Sequence, residues 1–410
     1  MTSRIAIVLL ALAPLMVACR SDERLAAPDL STSGGLLERY VAMGNSITAG
    51  YQSGGINDST QVRSYAAVFA RQAHAPYFHA ALAMPGCPAP LANNVTQARV
   101  GDQPPTAPCA LRVQDRNPFL SNVAVPGANV IDAFSNTAPG AAPNALTTFI
   151  LGGRSQVAAM ADADPTFVTV WLGNNDVLGA LTNAANPGDP ALVTPTADFE
   201  AAYTRVLDSI MATNPTAKGA LLGVADVTSI PYVSTGTLYF CLRNGVCPGV
   251  PQAAFPAVFS VDPDCAPQAL GGQGDGTLIP WTVGVARILQ AAQGLPTSID
   301  CAVDADVVTP AERATLQSAV AEYNAFIQAQ AAERGWAYVD ITAILLAYRA
   351  QGLIPQFPAL PAAAGQSVGF GPLFSLDGVH PSTAAHRLIA DSLIAAVNRT
   401  YGSSIPFAGP

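Results

Sequence analysis

Charge is what this chain has least of. Only 11% of its 410 residues are Asp, Glu, Lys or Arg, and 19 basic side chains stand against 28 acidic ones, for a formal net charge of -9. There is no run of Lys or Arg, so the electrostatic footing that a phosphate backbone requires is missing and no nucleic acid partner is expected. Histidine is scarce as well, with four in the chain. The cysteine spacings do not resemble zinc ligand sets, so neither a metal nor a cofactor is expected. What the chain does have is apolar bulk: half its residues are hydrophobic, which excludes a disordered composition and supplies material for a sizeable core.

The amino terminus reads as an export signal over residues 1–18. Arg4 supplies the positive start, Ile5 to Val17 is almost wholly apolar, and the segment closes on Ala18 and Cys19. That run is shorter than the ~20 residues a membrane span needs. Small Ala18 directly before Cys19 resembles the bacterial lipoprotein processing site, which implies a Cys19 that carries lipid and anchors the mature chain to a membrane; the alternative is an ordinary cleaved signal. Either way the chain is exported. Residues 19–36 are rich in Ser, Asp, Ala and Gly without periodicity, as expected of a tether, and a folded domain is expected over 37–410.

Setting Cys19 aside leaves six cysteines, an even number that in an exported chain points to disulfides. Sequence-adjacent pairing closes the shortest loops: Cys87 with Cys109, Cys241 with Cys247, and Cys265 with Cys301.

Along the domain, short apolar runs at 40–43, 122–125, 167–172, 220–225 and 336–341 read as buried strands. Helices are expected between them at 64–73 and 198–213, and near the end at 382–400. The clearest helix starts after Thr309, with Pro310 at its first position and Glu312 completing a capping box. Its Leu316, Val320, Tyr323 and Ile327 repeat with a helical rhythm, and Gly335 supplies the stop. Strands alternating with helices predict a parallel sheet covered on both faces. The stretch 228–306 breaks the alternation. It is rich in Gly and Pro and holds four of the six cysteines, so an ordered insertion with little regular structure is expected there.

Three blocks carry chemistry. Gly44-Asn45-Ser46 follows an apolar strand, and in an open α/β sheet the carboxyl ends of the strands face the ligand crevice. Gly173-Asn174-Asn175-Asp176 also follows a strand, where an asparagine amide can donate to a developing oxyanion. Asp377-Gly378-Val379-His380 precedes the last helix, and a carboxylate three residues before an imidazole can orient it as a general base. Each block alone has a plainer reading as a turn or a helix cap.

Together, and in this order, the blocks resemble those of the SGNH, or GDSL, hydrolase superfamily. A fourth block resembles Asn122-Val123-Ala124-Val125-Pro126-Gly127-Ala128, with Gly127 as the family's glycine. One departure is visible: Asn45 stands where the family has aspartate. The resemblance implies a three-layer α/β/α sandwich with a central parallel sheet, flavodoxin-like, and a serine esterase or lipase acting on a small-molecule or lipid ester. It implies Ser46 as nucleophile, His380 as base and Asp377 as its orienting acid. The oxyanion hole would comprise the backbone N–H groups of Ser46 and Gly127 and the Asn175 amide. A carbohydrate deacetylase of the same fold and a non-catalytic surface-binding lipoprotein are the alternatives. Aromatic residues of the insertion (Tyr232, Tyr239, Phe240, Phe255 and Phe259) are expected either to roof an acyl pocket or to pack beneath a long loop. His386, inside the final helix, is expected to be solvated or packed rather than catalytic, and His74 and His79 have no assigned role.

Overall fold

The computed structural model describes residues 35–104, 106–112, 119–134 and 145–409. The expected export signal, Cys19 and most of the expected tether lie outside the described residues. Three parallel strands open the domain's sheet, β1 (Tyr40–Gly44), β2 (Phe167–Trp171) and β3 (Lys218–Leu222). The insertion contributes β4 (Val233–Thr235), β5 (Phe259–Val261), β6 (Leu278–Pro280) and β7 (Thr297–Ile299), and β8 (Ala337–Val339) returns to the main sheet. The helices are α1 (Ser46–Ala49), α2 (Asp58–Gln61), α3 (Tyr65–Gln72), α4 (Ala145–Leu151), α5 (Gln156–Ala163) and α6 (Asn175–Leu181). They continue as α7 (Thr196–Thr213), α8 (Gly236–Asn244), α9 (Trp281–Ala292), α10 (Pro310–Arg334), α11 (Ile341–Ala350) and α12 (Thr383–Tyr401).

The main sheet runs β1-β2-β3-β8, parallel throughout. Side chains alternate along each strand, so each face of the sheet meets its own core. Tyr40, Ala42, Phe167, Trp171, Ala220, Leu222, Ala337 and Val339 pack on one side, beneath α3 and α12. Val41, Met43, Val168, Val170 and Leu221 pack on the other with residues of α5, α7 and α10. The result is the expected three-layer α/β/α sandwich. Burial on both faces explains why these strands are nearly continuous apolar runs rather than alternating ones.

Four expected strands are present with shifted ends. The fifth, at 122–125, is not a regular strand. It runs parallel to β1 and exchanges only a few backbone bonds with it, such as Val123 N to Ala42 O at 3.0 Å and Val125 N to Gly44 O at 3.2 Å. The Asn122 side chain takes the Ala124 N–H, which is not among those bonded to β1, on its Oδ1 at 3.0 Å, and its Nδ2 donates to Thr48 O at 2.8 Å. The helix starts are as read: Ser64 and Ser382 cap α3 and α12, and the Thr309–Glu312 capping box and left-handed Gly335 bound α10.

The insertion corrects the expectation of little regular structure. Antiparallel β4 and β6, parallel β5 and β7, and helices α8 and α9 surround a small core of Tyr239, Phe259, Ile279 and Ile299. Three-residue strands leave no period to read, which is why the sequence pattern hid them. The disulfides pair as expected, Cys87 with Cys109, Cys241 with Cys247, and Cys265 with Cys301. No helix among the described residues is long and apolar enough to cross a membrane.

Candidate active site

The carboxyl end of β1 passes directly into α1, placing Ser46 at the first position of that helix. Gly44 is required at the junction, since a Cβ there would lie 2.7 Å from Thr48 Cβ and 2.9 Å from Trp171 O. Asn45 keeps the capping task open to an aspartate: its Oδ1 accepts the Ile47 N–H at 3.2 Å. Its Nδ2, by contrast, is buried with no hydrogen-bond partner. Behind the junction, Gln156 of α5 accepts the Gly44 N–H at 3.0 Å.

The loop before α12 brings His380 to the nucleophile. His380 Nε2 lies 2.9 Å from Ser46 Oγ, and Nδ1 lies 2.9 Å from Asp377 Oδ2. Both acid and base are largely covered, with side chains 15% and 14% exposed. Asp377 accepts a full set of donors. Oδ1 takes the backbone N–H groups of Val379 and His380 at 2.9 and 2.8 Å and the Ser375 hydroxyl at 3.1 Å; Oδ2 also takes the Gly54 N–H at 2.7 Å. Burial alone would raise this carboxyl, but the charge of His380 and the hydrogen bonds from His380 and Val379 outweigh it and hold Asp377 at about 2. The acid is therefore anionic wherever an imidazole can act as base.

On the opposite side of Ser46, Gly127 and Asn175 complete the arrangement. Gly127 has φ of +83°, a conformation that favours glycine. Among the described residues, neither its backbone N–H nor that of Ser46 meets a protein acceptor. Asn175 begins α6, and its Nδ2 donates to Ala128 O at 2.9 Å, leaving the amide's second proton for another acceptor. Gly173 before it has φ of +112°, and a Cβ would sit 2.6 Å from Val224 Cγ2. Asp176 ties the two loops together by accepting from Val130 N at 3.0 Å and Thr194 Oγ1 at 2.8 Å. Burial raises its carboxyl to about 6 against those bonds.

These groups meet in one cavity of about 330 Å³, lined by Ser46, His380, Gly127 and Asn175 with Tyr51, Leu146, Leu178, Pro88 and Pro126. Every residue singled out for catalysis is thus brought together. Sequence reasoning missed Tyr51, Gly54, Ser375, Asp176 and Gln156. Asp176 closes one recognised block without a role assigned to it and Ser375 adjoins another, whereas nothing in the sequence marks Gln156, which comes from a distant helix.

The insertion's aromatics take the second of the two expected roles. Tyr239 and Phe259 are fully buried in the insertion's own core with Phe240 and Phe255 beside them, and none of the five lines this cavity. His386 is packed, accepting the Tyr65 N–H on Nδ1 at 3.2 Å, and burial together with the charge of His380 lowers it to about 3. Among the described residues one carboxylate group lies close enough to share a cation: Asp262, Asp264 and Asp300 of the insertion, with oxygens within 4.8 Å of one another. Asp262 and Asp300 already accept backbone N–H groups from Asp264 and Ala302 in local turns.

A serine hydroxyl bonded to an imidazole, an acid behind it and unengaged donors lining the same cavity are the parts of an α/β/α hydrolase site. The chain belongs to the GDSL-like Lipase/Acylhydrolase family, which matches residues 40–393, and is a hydrolase of ester bonds. Solved structures similar to it include an extracellular lipase from Streptomyces rimosus, at 15% identity and a TM-score of 0.37, covering 87% of this chain and 98% of that one. A catalytic mutant of an acetylxylan esterase from Geobacillus stearothermophilus is similar at 13% identity and a TM-score of 0.36, covering 90% of this chain and 95% of that one. Among curated proteins, none matches the chain in sequence.

Proposed function

We propose that this chain is an extracytoplasmic carboxylic-ester hydrolase that works through an acyl-enzyme on Ser46. The observation that carries the reading is the continuous relay Ser46–His380–Asp377, with 2.9 Å at each step, opening on a cavity shared with Gly127 and Asn175. Ser46 Oγ attacks the ester carbonyl carbon while its proton passes to His380 Nε2. The N–H groups of Ser46, Gly127 and Asn175 receive the oxyanion. The tetrahedral intermediate collapses, the C–O bond to the alcohol breaks, and His380 returns the proton to the departing oxygen. Water, giving one proton to His380, then attacks the acyl-Ser46 ester, and His380 passes that proton to Ser46 Oγ as the C–O bond breaks and the acid leaves.

Leu146, Leu178, Pro88 and Pro126 give the cavity apolar walls, and its modest volume suits a short acyl chain. Three disulfides and the amino-terminal apolar run support export, and Cys19 is the proposed site of lipid attachment and membrane anchoring.

Hydrolysis of p-nitrophenyl esters of graded acyl length, by the protein and by Ser46→Ala, tests the reading. Turnover by the parent alone is expected, strongest for short acyl groups. Silence of both on every ester would favour the sugar deacetylase or the non-catalytic lipoprotein. Labelling with an alkyne fatty acid, expected on the parent and lost in Cys19→Ser, tests the anchor.

A further inference from the structure

The turn that follows the nucleophile's helix reaches every member of the triad. α1 ends at Gly50, in the left-handed region, where a Cβ would lie 2.8 Å from both Gln61 Cα and Thr60 O, so the chain passes tightly and reverses. Tyr51 N then donates to Ser46 O at 2.8 Å, which ties Tyr51 to the nucleophile's own backbone. Its ring lies against the imidazole of His380, centroids 4.9 Å apart and planes inclined at 52°. Two residues on, Ser53 N donates to Ser375 Oγ at 2.8 Å and Ser53 Oγ accepts from Leu376 N at 3.2 Å, while Gly54 N reaches Asp377 Oδ2.

We propose that Tyr51 is a positioning residue for the general base, its ring packed against the His380 imidazole at a distance set by Ser46 itself. The proposal rests on the hydrolase reading of the same site. The two hydrogen bonds of the imidazole, through Nδ1 and Nε2, lie in the ring plane and leave tipping out of that plane weakly restrained. A packed aromatic ring supplies the missing restraint. The restraint matters most after acylation, when Ser46 Oγ has given up its proton and no longer anchors Nε2. Asp377 alone then holds the ring by hydrogen bonding while Nε2 must stay aimed at the leaving oxygen and next at water. The tyrosine hydroxyl has no part in this, so the ring rather than the O–H is required.

Tyr51→Leu and Tyr51→Phe, read by steady-state kinetics on p-nitrophenyl acetate and by the proton resonance of the His380 Nδ1–H, test the idea. Misplacement of a catalytic group by about 1 Å costs roughly 100-fold, so a partly freed ring should lower kcat by roughly 10- to 100-fold. Tyr51→Leu is expected to show that loss with KM little changed and a broadened Nδ1–H resonance; Tyr51→Phe is expected to recover most of both. If Tyr51→Leu does not fold, Tyr51→Met carries the same expectation. An unchanged kcat, or a raised KM alone, would make Tyr51 merely a wall of the cavity and overturn the proposal. Should the parent protein hydrolyse nothing, the hydrolase reading fails by itself, and the proton resonance still decides whether Tyr51 holds the ring.

Discussion

Asn175 divides its amide between two tasks. One N–H is spent on Ala128 O, which holds the Gly127 loop beside Ser46, and the other is free to meet an oxyanion. Asn175→Ala is therefore expected to lose both a donor and a loop contact. The cost should fall on kcat, by ~10²–10³, with KM little altered, as steady-state kinetics on a short p-nitrophenyl ester would show. The acid is set up differently. Because Asp377 is held at about 2, it stays charged through the range in which an imidazole gains its proton. A plot of kcat/KM against pH should accordingly carry no acid limb from Asp377 within that range. Two overlapping acid limbs would mean that Asp377 is not held as described. At this scale the site was legible wherever a residue carried its own chemistry, as Ser46, Asn175, Asp377 and His380 do. Gln156 and Gly54 act through one amide oxygen and one backbone N–H, groups that most sequences supply in abundance and that only position makes relevant.

Elements add rigidity to the site's rim. The Cys87–Cys109 disulfide lies in a small apolar cluster with Ala49, Ile56, Leu82 and Ala124, beside which Tyr51 and Leu146 pack. Pro88, next in the chain, lines the cavity. Closing a loop of 22 residues in the unfolded chain is worth about 3 kcal/mol on the chain-entropy account. The Cys87→Ser, Cys109→Ser double variant should be destabilised by that order in a denaturant titration. Its activity at low temperature should fall less than its stability, because no triad bond runs through the disulfide. In α10, Thr309→Ala removes the capping-box acceptor and should cost about 1 kcal/mol in the same measurement. That helix was readable because cap, rhythm and stop agree locally. The segment at 122–125 was read as a strand because it is apolar. What its sequence could not show is that its pairing with β1 would stop at a few backbone bonds, with the Ala124 N–H taken by the Asn122 side chain.

For the molecule as a whole, stability against pH turns on buried groups outside the triad. His386 is held at about 3 in the folded state against an ordinary 6.5, so the unfolded chain binds its proton more readily. Its contribution is fully present above about 6.5 and is lost as pH falls toward 3, by up to about 1.4 kcal/mol per unit within that window. Asp176 has the opposite sign. With its folded value raised to about 6, it favours the fold at low pH and withdraws that support as pH rises through 6. In His386→Gln the acid loss should be reduced, so thermal midpoints of variant and parent should converge as pH is lowered from 7 to 5. A gap independent of pH would show that His386 does not titrate with unfolding.

The sequence by itself determined the class of fold and the order of the chemical blocks, and it made sequence-adjacent disulfides the pairing with the shortest loops among those open. Each depends on patterns local in the chain: apolar runs between turn residues, a serine or histidine at a strand or helix boundary, and cysteines close in sequence. Only the tertiary structure decided that Tyr239, Phe240, Phe255 and Phe259 of the insertion pack in its own core, that His386 is sealed beneath Tyr65, and that the turn after Ser46 clasps Asp377 and His380. Those outcomes join residues far apart in the chain: Gly54 and Asp377 are separated by 323 positions. A contact of that span is created by chain reversal and core packing, which no local pattern encodes.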